Sequence, residues 1–374
     1  MNILITLTNL AERNGGVCTH VVDLCKGLKE KGHSVWVISA GGLYVERLEN
    51  LGIEHFNAPF QGIQKHPLKL LKAMLFIKHI CKKYSIDIIH THGQSQILLC
   101  QILEKLKRIP FVWTNHIDAV AQPKLFKKLY NLSPFPIISV STDLKEHMVR
   151  EFNFNNSDIK VVLNGISFED YKPLTSSERL EFMQELNIAD DEYIISLVGR
   201  IAGVKGHQLV LEAMKNITKI YPDKKFKLLF PGAVTTQEQK TYVEEKKMYA
   251  ENHGININFC GFQNVRKIFG ISNLAILPSY KEGFGLVCVE GFAMRCPYIR
   301  SDSPGASDMR GISLVFKKGN VKELEEKIIY TIEHPAEIRA MVESAYSYSK
   351  KELTKERMVE KTIQIYEEVI VNKI

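Results

Sequence analysis

Short apolar runs alternate along this chain with longer stretches whose apolar positions recur at helical spacing. Runs rich in β-branched and aromatic residues fall at 2–7, 34–39, 86–90, 109–114, 136–141 and 160–163. Amphipathic stretches separate them near 16–31, 67–84, 95–107 and 142–152. Strand and helix in alternation predict parallel sheets covered by helices on both faces. The pattern weakens after residue 165, where SFEDYKPLTSSER carries a proline and small polar residues and reads as a hinge. It restarts with β-rich runs at 193–198, 226–230, 256–260, 274–278 and 297–300, and the tail 335–372 reads as helix with no strand signal. The pattern therefore predicts an α/β chain of two doubly wound, Rossmann-like domains, 1–168 and 169–354, and a C-terminal helix, 355–374; that this helix packs back on the first domain is a further expectation. Ligands of such sheets bind beyond the carboxyl ends of the strands, so the loops after each strand are where chemistry is sought.

Composition removes several classes. At 374 residues with 24% charged and 45% hydrophobic positions, this is an ordinary globular composition. No run of 18 apolar residues predicts a membrane span, and the N-terminus lacks the basic segment and cleavage site of a signal peptide. Seven cysteines without a CxxC pair read as free thiols in a reducing cytoplasm. Residues 61–130 hold twelve Lys and Arg against three acids, a local +9 in a chain of net +7, so the remainder is −2. In that segment Leu68, Leu71, Met74, Leu75 and Ile80 read as a packed apolar stripe. Lys65, Lys69, Lys72, Lys78, Lys82 and Lys83 supply charge suited to anionic lipid headgroups. A solvated basic face is the plainer reading. Aromatic residues are too sparse there for single-stranded nucleic acid.

There is no GxGxxG after a strand and no GxxxxGK[ST], which argues against nicotinamide-linked chemistry and P-loop hydrolysis. Four segments remain. Arg13-Asn14-Gly15-Gly16 precedes the first helix, where two glycines and helix N–H groups suit an anion or form only a tight turn. Gly199-Arg200 ends a strand and Lys205 follows, two cations that suit a diphosphate. Glu282-Gly283-Phe284-Gly285-Leu286 opens a helix that carries Glu290, so two carboxylates can reach different parts of one ligand. A buried Glu290 needs a ligand or a partner. His90, His92 and His116 lie at strand ends, without the Cys or Glu spacing of a metal site. No metal or cofactor is expected.

The ordered set Gly15-Gly16, His116, Asn164-Gly165-Ile166, Gly199-Arg200, Lys205-Gly206, Gly261 and Glu282 with Glu290 resembles family 4 of the retaining GT-B glycosyltransferases, over roughly residues 1–310. That resemblance implies two Rossmann-like domains facing a cleft. It also implies transfer of a hexosyl or N-acetylhexosaminyl unit from a nucleotide diphosphate sugar, without a metal. It gives Gly15, Gly16, Arg200 and Lys205 to the donor diphosphate and Glu282 to the sugar, with Gly199, Gly283, Phe284, Gly285 and Leu286 also on the donor, the glycines against sugar or phosphate. Glu290 falls to the ribose, Phe262 and Gln263 to the base, and His116 to the reacting carbon. Ser167, Gly291 and Ser303-Pro304-Gly305-Ala306-Ser307-Asp308 depart from the family pattern. A UDP-sugar and a lipid-linked or surface-glycan acceptor, as in lipopolysaccharide or capsule synthesis, are the expected partners. The expected setting is the cytoplasm, at the inner face of the membrane. A nucleotide-sugar epimerase and a non-enzymatic basic-patch binder are the alternatives.

Overall fold

A computed structural model describes residues 1–10, 15–58, 60, 66–107, 109–117, 127–128, 130–131 and 133–371. Two compact units emerge: Met1–Gly165 with Lys355–Ile374, and Ile166–Thr354. The boundary lies at 165/166, where the pattern weakens and three residues before the expected domain limit of 168.

The first unit is built on a parallel sheet of order β3-β2-β1-β4-β5-β6-β7. Its strands are β1 (Asn2–Thr6), β2 (Ser34–Ser39), β3 (Glu54–Asn57), β4 (Ile88–Thr91), β5 (Phe111–Asn115), β6 (Ile137–Ser139) and β7 (Ile159–Val161). Helices α1 (Gly16–Glu30), α2 (Val45–Asn50), α3 (Pro67–Lys83), α4 (Ile97–Lys107) and α5 (Thr142–Phe152) connect them. Successive strand residues point to opposite faces, and here they divide between two cores. Leu4, Ile89, Phe111, Trp113 and Ile137 pack with Ile77 and Ile80 of α3 and Leu103 of α4. Ile3, Ile5, Ile88, Val112 and Ile138 pack with Val21, Leu24 and Leu28 of α1. The second core is completed by the C-terminal helix α13 (Lys355–Val371) through Met358, Val359, Ile365 and Tyr366. Lys355 Nζ also meets Glu30 Oε2 at 2.8 Å, which places the tail within this unit.

The second unit carries a parallel sheet of order β10-β9-β8-β11-β12-β13. Its strands are β8 (Tyr193–Ser196), β9 (Phe226–Leu229), β10 (Ile257–Asn258), β11 (Leu274–Leu277), β12 (Tyr298–Ser301) and β13 (Leu314–Phe316). Its helices are α6 (Ser176–Glu185), α7 (His207–Ile220), α8 (Gln237–Asn252), α9 (Val265–Ile271), α10 (Leu286–Ala293), α11 (Val321–Glu333) and α12 (Pro335–Glu352). The segment read as a hinge is ordered. Thr175 and Glu178 form a reciprocal cap on α6, and Ile166 N donates to Leu353 O at 3.1 Å. The tail is not one helix: it breaks at Leu353–Thr354, between α12 and α13.

Helix α3 corrects a sequence expectation. Its packed stripe is Leu70, Ala73, Met74, Ile77, Ile80 and Cys81. Leu68, Leu71 and Leu75 face outward, 76%, 47% and 53% exposed, beside Lys69, Lys72, Lys78, Lys82 and Lys83. Lys65 lies outside the described residues. No described helix is long and apolar enough to cross a membrane. All seven cysteines are free thiols, buried except the half-buried Cys260.

Candidate active site

The chemistry-bearing residues of the second unit collect at the carboxyl edge of its sheet. β8 runs out through buried Leu197 and Val198 to Gly199 and the exposed Arg200. A short turn then brings Lys205 to the start of α7. Gly206 between them has φ +78°, and a Cβ there would sit 2.4 Å from the Pro278 carbonyl oxygen. Tyr280 N donates to Val204 O at 2.9 Å. The loop after β8 is therefore pressed against the loop after β11, and only glycine fits the contact. The apposition delivers Lys205 Nζ to Glu282 Oε1 as a hydrogen-bonded ion pair, with both side chains largely out of water. Sequence reasoning assigned this pair to separate parts of a ligand; the structure joins them.

Glu290 lies on α10 and accepts a 2.8 Å hydrogen bond from Tyr171 Oη. Tyr171 belongs to the supposed hinge, where nothing in the pattern marks it. It supplies the partner that a half-buried carboxylate requires.

A second residue missed from sequence holds the glycine loop in shape. Arg300, at the end of β12, is fully buried. Its guanidinium donates to the carbonyls of Phe284 and Gly305, each at 3.0 Å, and to those of Ser303 at 3.2 Å, Pro304 at 3.0 Å and Ser301 at 3.4 Å. Gly305 has φ +88°, and a Cβ there would lie 2.3 Å from the Phe284 carbonyl oxygen. One cation thus ties the Gly283–Leu286 segment to the Ser303–Gly305 segment. The latter is a departure noted above, and here it provides three of the five acceptor carbonyls. An arginine closing an apolar run was the available signal.

On the other side of β8, Gly261 leads to Phe262 and Gln263. Phe262 is 65% exposed, and Gln263 Nε2 donates to the Cys260 carbonyl at 2.9 Å. His207, at the start of α7, is buried with Nε2 lacking a partner among the described residues. Burial pulls its pKa down to about 4, opposed by the Ala202 backbone and assisted by Lys205 and Lys246. The native state therefore holds it neutral where the unfolded chain would protonate it below pH 6.5. Its stabilising contribution is complete above pH 6.5 and lost as pH falls toward 4. By pH 5 the loss from this group should reach about 2 kcal/mol. Thermal midpoints between pH 7.5 and 5 should fall, and His207→Phe should fall less steeply; parallel curves would refute the assignment.

In the first unit, Gly15 and Gly16 open α1. No side chain caps that end and no acid lies in its first turn, among the described residues. Arg13 and Asn14 lie outside them. His116 follows β5, and its Nε2 lies 2.9 Å from His92 Nδ1. The ring of His20, on α1, approaches that of His116 with centroids 4.8 Å apart. Burial drives His20 to about 4 and His92 and His116 well below the ordinary histidine range, so all three are neutral near pH 7. His20 was not singled out from sequence, since only the fold brings α1 beside the ends of β4 and β5.

Comparison with known proteins follows this division. Residues 14–170 match the model of Glycosyltransferase Family 4, and residues 178–348 that of Glycosyl transferases group 1. The chain is 26% identical to an α-monoglucosyldiacylglycerol synthase of Acholeplasma laidlawii, over 76% of each protein. A glycosyltransferase crystal structure from Rickettsia africae superposes with TM-score 0.89 at 24% identity, covering 99% of each chain. The Anabaena protein HepE in complex with UDP-glucose gives 0.83 at 18% identity, covering 98% of this chain and 100% of that one.

Proposed function

We propose, for a chain that belongs to glycosyltransferase family 4 and has the GT-B fold, that it moves a hexosyl or N-acetylhexosaminyl unit from a nucleotide diphosphate sugar to an acceptor hydroxyl with retained configuration. The observation that carries this reading is the pairing of Lys205 with Glu282, and of Tyr171 with Glu290, at the carboxyl edge of one parallel sheet. Arg200 and Lys205 stabilise the departing diphosphate, joined by the N–H groups at Gly15 and Gly16 and the backbone at Gly199. Glu282 and the Gly283–Leu286 backbone hold the sugar, Glu290 takes the ribose, and Phe262 with Gln263 faces the base. His116 approaches the reacting carbon. The HepE complex supports a UDP donor.

Both carboxylates are engaged by neighbours, which favours front-face attack over a carboxylate nucleophile. The bond from the anomeric carbon to the phosphate oxygen breaks as the acceptor oxygen bonds on the same face. The acceptor's proton passes to the leaving phosphate. The scheme uses protein donors alone, so turnover should persist in a chelator.

Titration calorimetry with UDP and GDP tests the division of labour. Glu290→Ala and Tyr171→Phe should weaken nucleotide binding, Tyr171→Phe the less. Glu282→Ala should keep nucleotide affinity and lose transfer. Equal loss of affinity in Glu290→Ala and Glu282→Ala would refute it. An epimerase would convert donor with no acceptor present, which product analysis separates.

The outward face of α3, with its exposed leucines and lysines, supports an acceptor held at a membrane, as does the name of the similar α-monoglucosyldiacylglycerol synthase. Five lysines near an anionic surface contribute about 1 kcal/mol each at low salt. Insertion of Leu68, Leu71 and Leu75 adds up to roughly 1.5–3 kcal/mol each, independent of salt. Lys69, Lys72, Lys82 and Lys83 changed to Glu should abolish co-sedimentation with anionic vesicles at low salt. Leu68, Leu71 and Leu75 changed to Ser should weaken it at every salt concentration. A wild type that ignores anionic vesicles at low salt would point to a water-borne acceptor.

A further inference from the structure

The buried histidines of the first unit fall into two kinds. His90 is satisfied at both nitrogens: Nδ1 lies 2.5 Å from Tyr366 Oη and Nε2 lies 2.6 Å from Thr114 Oγ1. That is how a histidine placed for packing looks when its polar atoms are accounted for. His20 differs. It is 4% exposed, and neither Nδ1 nor Nε2 has a partner at ordinary hydrogen-bond geometry among the described residues, although the Asn164 side chain lies near enough to oppose the fall in its pKa. His92 is 8% exposed, and its Nε2 is likewise unpartnered there. Three buried ring nitrogens in one place therefore lack the partners that buried polar groups ordinarily have.

The two rings meet a third, that of His116. One nitrogen from each of His20, His92 and His116 can be chosen so that all lie within 4.8 Å of one another. The three come from separate elements, α1 and the loops that leave β4 and β5, at the carboxyl edge of the sheet. The ring centroids of His92 and His116 are 5.2 Å apart and those of His20 and His92 5.4 Å, a triangle with no long side. We propose that His20, His92 and His116 bind one borderline transition-metal ion, with Zn²⁺ as the first choice, through three imidazole nitrogens and an open fourth position.

The chemistry of the donor set chooses the class of ion. Imidazole suits Zn²⁺, Cu²⁺, Ni²⁺ and Co²⁺, whereas Mg²⁺ and Ca²⁺ want oxygen. Zn–N bonds of about 2.0–2.1 Å place tetrahedral ligand nitrogens roughly 3.3 Å apart. The widest separation must therefore close by about 1.5 Å, within reach of side-chain rotation. The His92–His116 hydrogen bond would be exchanged for two metal bonds. His116 is half-buried, which leaves it at the accessible corner of the triangle. The cluster belongs to the first unit and shares His116 with the transfer reading above, so its test does not use turnover.

The full chain is stripped with a chelator, dialysed, and titrated with Co²⁺ and then Zn²⁺. The expected result is one ion per chain, an intense visible Co²⁺ spectrum of tetrahedral type, and displacement of that spectrum by Zn²⁺. His20→Asn and His92→Asn should each lose the spectrum. His116→Asn, at the accessible corner, keeps the test decisive if the buried variants fail to fold, and it should lose the spectrum as well. Absence of a spectrum and of Zn²⁺ binding heat in the folded wild type would overturn the proposal. So would binding that survives His116→Asn unchanged.

Discussion

Lys205→Ala should lower the rate of donor cleavage by roughly 10²–10³, the usual cost of removing one group that stabilises developing charge. Arg200→Ala should fall in the same range. The ion pair adds a feature that a simple diphosphate clamp lacks. Removing Lys205 leaves Glu282 without its counter-charge beside the proposed diphosphate site. Like-charge repulsion then adds to the lost attraction. The double variant Lys205→Ala/Glu282→Gln should accordingly bind nucleotide more tightly than Lys205→Ala alone, although its transfer rate stays low. Strict additivity of the two changes would show that the pair does not act as a unit. Calorimetry and steady-state rates on the four proteins decide the matter, with near wild-type turnover in Lys205→Ala the most damaging result.

Arg300→Ala should be the most destabilising single change in the second unit. The guanidinium is fully buried and donates to five backbone carbonyls. Truncation leaves those acceptors without their donor and opens a cavity, so about 3–5 kcal/mol is expected. For a unit of this size that corresponds to a drop in thermal midpoint of roughly 10 °C. Arg300→Lys keeps the charge but loses the planar fork, and should recover only part of the loss. Because the carbonyls belong to the loops beside Glu282, nucleotide affinity should fall even at temperatures where the variant is folded. A thermal midpoint within about 2 °C of wild type would refute the role given to Arg300.

Much of the architecture could be read from the chain because most strands are central and buried on both faces. NILITL, IDIIH and LAILP announce themselves by unbroken apolar character. The missed strands are edges. β3 is EHFN, half in water and charged, and β13 is the three-residue LVF at the opposite kind of margin. Neither has the composition of a buried strand. The helix α6 was missed because its surface is polar nearly all round, and only its reciprocal cap marks it. Helix α3 is apolar on two faces, so periodicity finds the helix but not which stripe packs. The core takes Ile77 and Ile80 and leaves Leu68, Leu71 and Leu75 outside.

The site shows the same limit. Glu282, Glu290, Arg200 and Lys205 stood out because charged residues beside glycines after apolar strands are hard to explain by packing. Tyr171, Arg300 and His20 did not stand out. A tyrosine in a polar segment, an arginine ending a strand and a histidine on an amphipathic helix are each ordinary until the fold supplies their neighbours. Spacing along the chain carries no trace of a contact between residues 171 and 290.

Release of free nucleoside diphosphate from a panel of UDP- and GDP-sugars, in the presence of EDTA and with and without anionic vesicles, tests the central claim most directly. Release from at least one donor by the wild type is expected, persisting in EDTA and reduced by roughly 10²–10³ in Arg200→Ala and Lys205→Ala. Failure of every donor to release nucleotide, together with absence of UDP and GDP binding to the folded wild type, would contradict it.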